Sequence, residues 1–299
     1  MGIRNALLVV LAALAVVFII GWRRAAAVAV TTDRRGSQRP SLLQLTIGFV
    51  TNFFDTLGIG SFATTTAIYK LLRMVADERL VGTLLIGHSL PVVAQAFIFL
   101  VVVQVDPVVL AMLIAVSVLG SWLGAGLVST LPRRPIQIGM GIGLIAAALF
   151  MAMSQMGWFP GGGTALTLTA GRLVIALMVN FVLGALLTLG IGSYAPSLIL
   201  FSLLGMDPRA AFPIMMGSGG MMAMAGGLRF MKAGRFDTRA ALGLTLGGIP
   251  AVLLAGLVVQ SLPLSVLRWV VVVVVVYAAT AMLRSAVIRS VLDVKAAEA

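Results

Sequence analysis

Long apolar segments separated by short polar stretches dominate the chain, and they predict membrane-spanning helices. A helix needs about 20 apolar residues to cross a bilayer. The apolar positions run continuously rather than alternating, which favours helices over the strands of a barrel. We recognise nine such segments, which cover 5–21, 42–72, 80–103, 107–130, 136–156, 168–205, 210–231, 239–260 and 264–287. The pattern predicts an all-α, polytopic membrane protein.

Segments 42–72 and 168–205 are too long for one perpendicular crossing, and glycines interrupt both. If all nine segments cross and the N-terminus is outside, 13 of the 21 Lys and Arg lie inside. If the two long segments instead enter and return on the same side, 17 lie inside. The four outside are then Arg4, Arg172, Arg209 and Arg268. The positive-inside rule favours these re-entrant hairpins and a cytoplasmic C-terminus, although long tilted helices remain an alternative.

The two ends of the chain differ from its apolar body. Trp22-Arg23-Arg24 follows the first segment where a signal peptide would have a small-residue cleavage site, so we expect an uncleaved anchor helix. Residues 23–40 carry five arginines among Gly, Ser, Thr and Gln and predict a linker. We therefore assign 1–40 to an anchor helix and basic linker, and 288–299 to a cytoplasmic tail.

The two long segments share an internal repeat. Thr-Leu-Gly-Ile-Gly-Ser-Phe-Ala at 56–63 recurs as Thr-Leu-Gly-Ile-Gly-Ser-Tyr-Ala at 188–195, a spacing of 132. Residues 41–158 and 164–287 thus form two repeats, each with one broken hairpin and about three spans. Because three is odd, the second repeat is inverted. Inverted repeats are typical of secondary transporters, whose binding site lies where the broken helices meet.

Composition and charge exclude several other classes of protein. The chain is 61% hydrophobic and 10% charged, whereas soluble domains are about 45–50% apolar and about 25% charged. It has no cysteine and one histidine, so we expect no metal site and no cofactor. An enzyme would need a nucleophile–base pair or metal ligands, and none is evident. The net charge of +12 comes from basic residues between apolar segments, so we expect no nucleic-acid partner.

The glycine-rich breaks in segments 42–72 and 168–205 contain most of the candidate substrate-binding residues. A helix that begins near Ser61 would leave its first N–H groups unpaired, and its positive dipole end suits an anion. Two such N-termini would form an anion pocket without a lysine. The alternative is that the glycines serve close helix packing. The candidate substrate-binding residues are Asn52, Gly58, Gly60, Ser61, Phe62, Thr65, Gly190, Gly192, Ser193, Tyr194, Ser197 and Ser218.

One acid and one histidine lie deep within predicted spans. Asp55 could relay a proton, bind a cation or accept backbone N–H groups, and its repeat counterpart is Leu187. Intramembrane carboxylates are costly and usually functional. His88, the sole histidine, could carry a proton or simply make hydrogen bonds in helix packing. Both are candidates for proton coupling. Gln95, another polar residue in a span, could merely join helices.

The duplicated Gly-Ile-Gly-Ser segments, together with Leu-Gly-Met-Asp-Pro-Arg-Ala-Ala at 204–211, resemble the TauE/SafE family of sulfite exporters in the toluene sulfonate uptake permease superfamily. The resemblance covers about 42–287 and leaves out the first helix. It implies a transporter in the cell membrane that moves sulfite, thiosulfate or a sulfonate such as sulfoacetate.

The sequence also departs from the family pattern. Gly-Ser-Phe at 60–62 and Gly-Ser-Tyr at 192–194 stand where the family commonly has a longer glycine run, and Thr64 stands where a proline is usual. The added hydroxyls should alter what the pocket binds. A non-sulfur organic acid as substrate, or a passive anion channel, remains an alternative. Besides the substrate, we expect membrane lipids as partners, and two copies could form a homodimer.

Overall fold

The structure is a computed structural model that describes residues 3–32, 39–57, 59–102, 105–158 and 163–258, with 269, 272–273, 276, 279–280 and 283–284. In these residues all named elements are helices. They are α1 (Ile3–Thr32), α2 (Leu42–Thr56), α3 (Ser61–Leu71), α4 (Asp77–Val102), α5 (Pro107–Val128), α6 (Arg133–Gln155), α7 (Ala170–Leu187), α8 (Tyr194–Leu203), α9 (Pro208–Lys232) and α10 (Thr238–Val258).

Seven stretches of the described helices are long and apolar enough to cross a membrane. They are Asn5–Ala26, Asp77–Val101, Pro107–Val128, Arg133–Gln155, Ala170–Leu187, Ala210–Lys232 and Thr238–Leu257. The chain is therefore an all-α integral membrane protein, as the apolar pattern predicts. The ninth predicted segment, 264–287, lies largely outside the described residues.

Both long segments are broken, as their glycines predict. Segment 42–72 forms α2 and α3, and segment 168–205 forms α7 and α8. At about 1.5 Å per residue, the 15 residues of α2 extend about 22 Å, short of the roughly 30 Å hydrocarbon core. Gly60 at the first break and Gly190 at the second have φ of 85° and 80°, a conformation that glycine adopts without strain.

Local sequence signals set where helices begin. The N–H of Ser41 donates to the Gln44 side chain at 2.9 Å, and the N–H of Gln44 donates to the Ser41 hydroxyl at 3.2 Å. This capping box starts α2. Asp106 accepts the N–H groups of Val108 and Val109 at the start of α5, which supplies acceptors that the first turn otherwise lacks.

The most buried helices, α4 and α9, pack antiparallel, with Gly219 against Val92 and Gly227 against Ile86. Two parallel pairs flank them: α2 lies along α10, and α7 lies along α5. Glycines let the backbones approach in both pairs. A side chain at 247 would collide with the carbonyl of Leu45, and one at 120 with that of Phe181.

Each broken pair of helices begins and ends at the same end of the bundle, and the two pairs use opposite ends. Gln44, near the start of α2, packs on Gly243, near the start of α10. The Tyr69 hydroxyl, near the end of α3, donates to the carbonyl of Ala240 at 3.4 Å. At the opposite end, where α9 begins, Arg172 of α7 donates to the carbonyl of Leu204 after α8, at 3.0 Å.

One predicted boundary is wrong. Helix α1 continues to Thr32, so the linker that we predicted from residue 23 does not begin there. The run Ala25-Ala26-Ala27 follows the arginine pair, and alanine has the highest helix propensity, with arginine close behind. Residues 33–38 of the predicted linker lie outside the described residues.

Candidate functional site

A cavity of about 70 Å³ lies between the two helix breaks. One water occupies roughly 10–15 Å³ on such a scale, so the cavity has room for one small ion or molecule. Its lining comes from both breaks and from α2, α3, α4, α6, α7, α8 and α9: Asp55, Ile59, Gly60, Ser61, Phe62, Ala63, Val92, Ala147, Met151, Leu187, Gly192, Ser193, Tyr194, Pro196 and Gly219.

The two helix N-termini at this cavity differ in how they are capped. Helix α3 starts at Ser61, as predicted, with Gly60 as its N-cap and no side-chain cap bond from that residue. Instead, the N–H of Ser61 donates to Asp55 Oδ1 at 2.5 Å. Helix α8 also lacks a side-chain bond from its N-cap, Ser193, and Leu187 stands in the place of Asp55. The Asp55 carboxylate therefore accepts an N–H group at the start of α3, and no equivalent carboxylate among the described residues stands at the start of α8.

Asp55 belongs to a buried network that joins the two breaks. Gln95 Nε2 of α4 donates to Asp55 Oδ2 at 2.9 Å and to Thr56 Oγ1 at 3.0 Å. The Tyr194 hydroxyl of α8 lies 2.9 Å from Gln95 Oε1, 2.9 Å from Met216 Sδ and 3.4 Å from Asp55 Oδ2. Gln95 thus bridges the first break to the second.

His88 belongs to a different network, beside the cavity and not in its wall. Its Nδ1 lies 3.0 Å from Asn52 Oδ1, and its Nε2 lies 3.0 Å from Thr65 Oγ1. The Asn52 oxygen can only accept, which assigns the ring proton to Nδ1, and Thr65 can donate to Nε2. A neutral ring satisfies every partner, an arrangement that favours the packing alternative.

The structure brings part of the predicted set together at the cavity. The predicted residues that line it are Asp55, Gly60, Ser61, Phe62, Gly192, Ser193 and Tyr194. Those that do not line it are Asn52, Thr65, His88, Gly190, Ser197 and Ser218. Ser197 and Ser218 are both buried, and the Ser218 hydroxyl has no hydrogen-bond partner among the described residues. Gly58 lies outside the described residues.

Sequence reasoning missed two contributions to this site. Gln95 was visible as a polar residue in a span, but nothing in one sequence shows that it faces Asp55 and Tyr194. Ala147 and Met151 of α6 supply a wall of the cavity. They are apolar residues in an apolar helix, so they carry no signal that separates them from ordinary packing residues.

A membrane-embedded helical bundle with two broken helices around one cavity is typical of solute transporters. The comparison with protein families narrows this class. A family model described as sulfite exporter TauE/SafE matches residues 2–151, which is half of the chain. The chain belongs to the TauE/SafE sulfite exporter family. The match confirms the resemblance and extends it to α1. No curated protein and no solved structure matches the chain.

Proposed function

We propose that the chain is a secondary transporter that moves a small sulfur oxyanion across the cell membrane by alternating access. The family suggests the substrate class: sulfite, thiosulfate or a sulfonate such as sulfoacetate. One observation carries the proposal: two helix breaks that lie 132 residues apart in sequence line the same small cavity.

The anion would bind between the N-termini of α3 and α8. Each N-terminus concentrates a partial positive charge of about half a unit, and the hydroxyls of Ser61 and Ser193 add donors. The start of α8 is the stronger half of the site, because Asp55 already accepts the Ser61 N–H. Phe62 and Tyr194 in the cavity wall would cover an apolar part of the substrate.

We further propose that residues 41–158 and 164–287 are inverted repeats with re-entrant hairpins. In support, α2 lies along α10 as α7 lies along α5, and the two broken pairs start from opposite ends of the bundle. By the positive-inside rule, the end where α10 begins faces the cytoplasm, as does the tail 288–299. The N-terminus of α1 is then outside.

Asp55 would supply coupling to protons. An ionised carboxylate about 4 Å from an anion costs about 4 kcal/mol at an effective dielectric constant of about 20. Protonation removes this repulsion, so the anion and a proton would occupy the site together. We assign His88 to packing, because Asn52 and Thr65 already satisfy its neutral ring.

Flux in proteoliposomes tests the substrate class and the proton coupling. Labelled sulfite, thiosulfate, sulfoacetate and acetate would be supplied with and without an imposed pH gradient. We expect saturable flux of a sulfur anion that follows the gradient. Asp55→Asn should retain saturable flux but lose its response to the gradient, whereas Asp237→Asn, an acid at the end of the bundle, should respond like the wild type.

Matched serine variants test the site itself. Ser61→Val and Ser193→Val should abolish flux in protein that still unfolds cooperatively, and Ser202→Val near the end of α8 should leave flux intact. Normal flux in both cavity variants would remove the site assignment. Unsaturable flux without stimulation by substrate on the far side would identify a channel, and transport of acetate alone would contradict the sulfur substrate.

A further inference from the structure

We propose that Arg229, where α9 packs on α5 at the end of the bundle where α10 begins, binds the phosphate of an anionic phospholipid. The guanidinium of Arg229 on α9 lies over the ring of Trp122 on α5, with Cζ 4.2 Å from the ring centroid. Gly126, one turn further along α5, also faces the guanidinium, since a side-chain carbon at 126 would make an ordinary van der Waals contact with Arg229 Cζ at 3.5 Å. The cation is thus held against α5 by an aromatic face.

Arg229 has no anionic partner in the part of the chain that the structure describes. Its Nε is buried and makes no hydrogen bond there. The acids at this end have other contacts: Asp77 and Glu78 pair with Arg133, and Asp237 accepts the N–H of Ala240. A buried donor that makes no hydrogen bond costs free energy, so an external anion at this end of the bundle would satisfy it.

The surroundings of Arg229 fit a lipid better than a soluble ion. Trp122, Leu123 and Leu127 are 39%, 58% and 65% exposed, so Arg229 lies beside the apolar outer face of α5, where acyl chains would lie. Tryptophan is typical of the bilayer interface. A phosphate held at this depth by Arg229 would keep its acyl chains in the hydrocarbon region.

Helix α1 adds charge and a second unpaired donor nearby. It packs on α9 where Gly21 meets Leu228, one residue before Arg229. The Nε1 of Trp22 is buried and has no acceptor among the described residues, and Arg23 and Arg24 are exposed on the same turn. Basic clefts between helices on the cytoplasmic side typically bind anionic headgroups.

The test is thermal unfolding of the purified full chain in detergent, titrated with phosphatidylglycerol, phosphatidylcholine or inorganic phosphate. We expect phosphatidylglycerol to raise the Tm at lower concentration than phosphatidylcholine, and inorganic phosphate to have little effect. Arg229→Gln should weaken the apparent affinity for phosphatidylglycerol at least about fivefold, the effect of one charge near a membrane surface. Arg134→Gln, which changes an exposed arginine at the same end, should match the wild type.

Native mass spectrometry gives a second readout that does not depend on the unfolding temperature. Wild-type protein should retain one phosphatidylglycerol more than Arg229→Gln, and Trp122→Leu should reduce that retention. Equal retention by the wild type and Arg229→Gln would overturn the site. Equal stabilisation by phosphatidylcholine would overturn the requirement for an anionic lipid, and a full response to inorganic phosphate would overturn the lipid as ligand. None of these outcomes depends on sulfite transport.

Discussion

The side-chain amide of Gln95 makes hydrogen bonds to both the Asp55 carboxylate and the Tyr194 hydroxyl. Its Nε2 can only donate and its Oε1 can only accept, so the observed orientation suits an ionised Asp55 and a donating Tyr194. A protonated Asp55 would present a hydroxyl to Nε2, which cannot accept it. Reversal of the amide would restore the bonds to Asp55 and Tyr194, with Tyr194 accepting rather than donating. The Thr56 hydroxyl, which now accepts from Nε2 and donates to the carbonyl of Asn52, would have to turn toward Oε1. The protonation state of one break can therefore reach the other through a side chain that does not line the cavity.

The 2.9 Å contact between Gln95 Oε1 and Tyr194 should be measurable as a coupling free energy. Gln95→Leu removes the donor to Asp55 and should lower the free energy of unfolding by about 1–3 kcal/mol, because a buried polar group is left unsatisfied. Tyr194→Phe should cost less. In a double-mutant cycle, we expect the two losses to be non-additive by at least about 0.5 kcal/mol. Strict additivity would show that the contact carries no energy.

At the scale of helices, one buried carboxylate connects three of them. Asp77 at the start of α4 accepts from Lys70 Nζ of α3 at 2.8 Å and from Arg133 Nη2 of α6 at 2.9 Å. Gln137 Nε2 of α6 donates to the same carboxylate at 2.6 Å. These contacts therefore join the C-terminal end of α3 to α4 and α6. Acids at the ends of spans are usually solvated, so the sequence alone gave no reason to single out Asp77.

Asp77→Asn should be strongly destabilising. The Asp77 side chain is 4% exposed and that of Lys70 is 15% exposed, so the variant leaves a partly buried ammonium without its counter-ion. Loss of one partner of a buried ion pair costs about 3–5 kcal/mol. Glu78→Gln is the matched control: Glu78 is 35% exposed and 3.4 Å from Arg133, and an exposed pair contributes at most about 1 kcal/mol. Equal changes in Tm for the two variants would contradict the assignment.

The start of α5 should be sensitive to acid. The pKa of Asp106 is lowered, chiefly because its carboxylate accepts the N–H of Val109, with further bonds from Thr167 and Val108. Its ionised form therefore stabilises the fold above the unfolded pKa of about 3.9, and this stabilisation is lost as the pH falls through the lower folded pKa. Asp106→Asn keeps a good N-cap without the titration. Melting curves between pH 7 and pH 3 should show the wild type losing stability faster than Asp106→Asn below about pH 4, and parallel losses would refute this role.

For the whole molecule, the sequence predicted the two breaks and the start of α3, because Gly-Ile-Gly-Ser has local consequences for backbone conformation. It also predicted seven residues of the cavity wall, all within or next to that motif. It did not predict Gln95, Ala147 or Met151, because their place at the cavity depends on how α4 and α6 rotate when they pack. The sequence predicted too early an end for α1, which extends to Thr32. Arginine and alanine occur in linkers but also have high helix propensity, so composition alone did not separate the two.

The proposed membrane topology predicts from which side of the membrane the ends of each broken pair can be labelled. If each broken pair is re-entrant, residues at its two ends face the same aqueous compartment, and the two pairs face opposite compartments. The chain has no cysteine, so single cysteines report without background. We expect Leu42→Cys and Leu72→Cys to react with a membrane-impermeant thiol reagent only from the cytoplasmic side. Gly171→Cys and Leu203→Cys should react only from the other side. Reaction of Leu42→Cys and Leu72→Cys from different sides would mean that segment 42–72 crosses fully, and the inverted repeat would then be wrong. Agreement at all four positions would leave the two N-termini approaching the cavity from opposite sides, the geometry of transporters with inverted repeats.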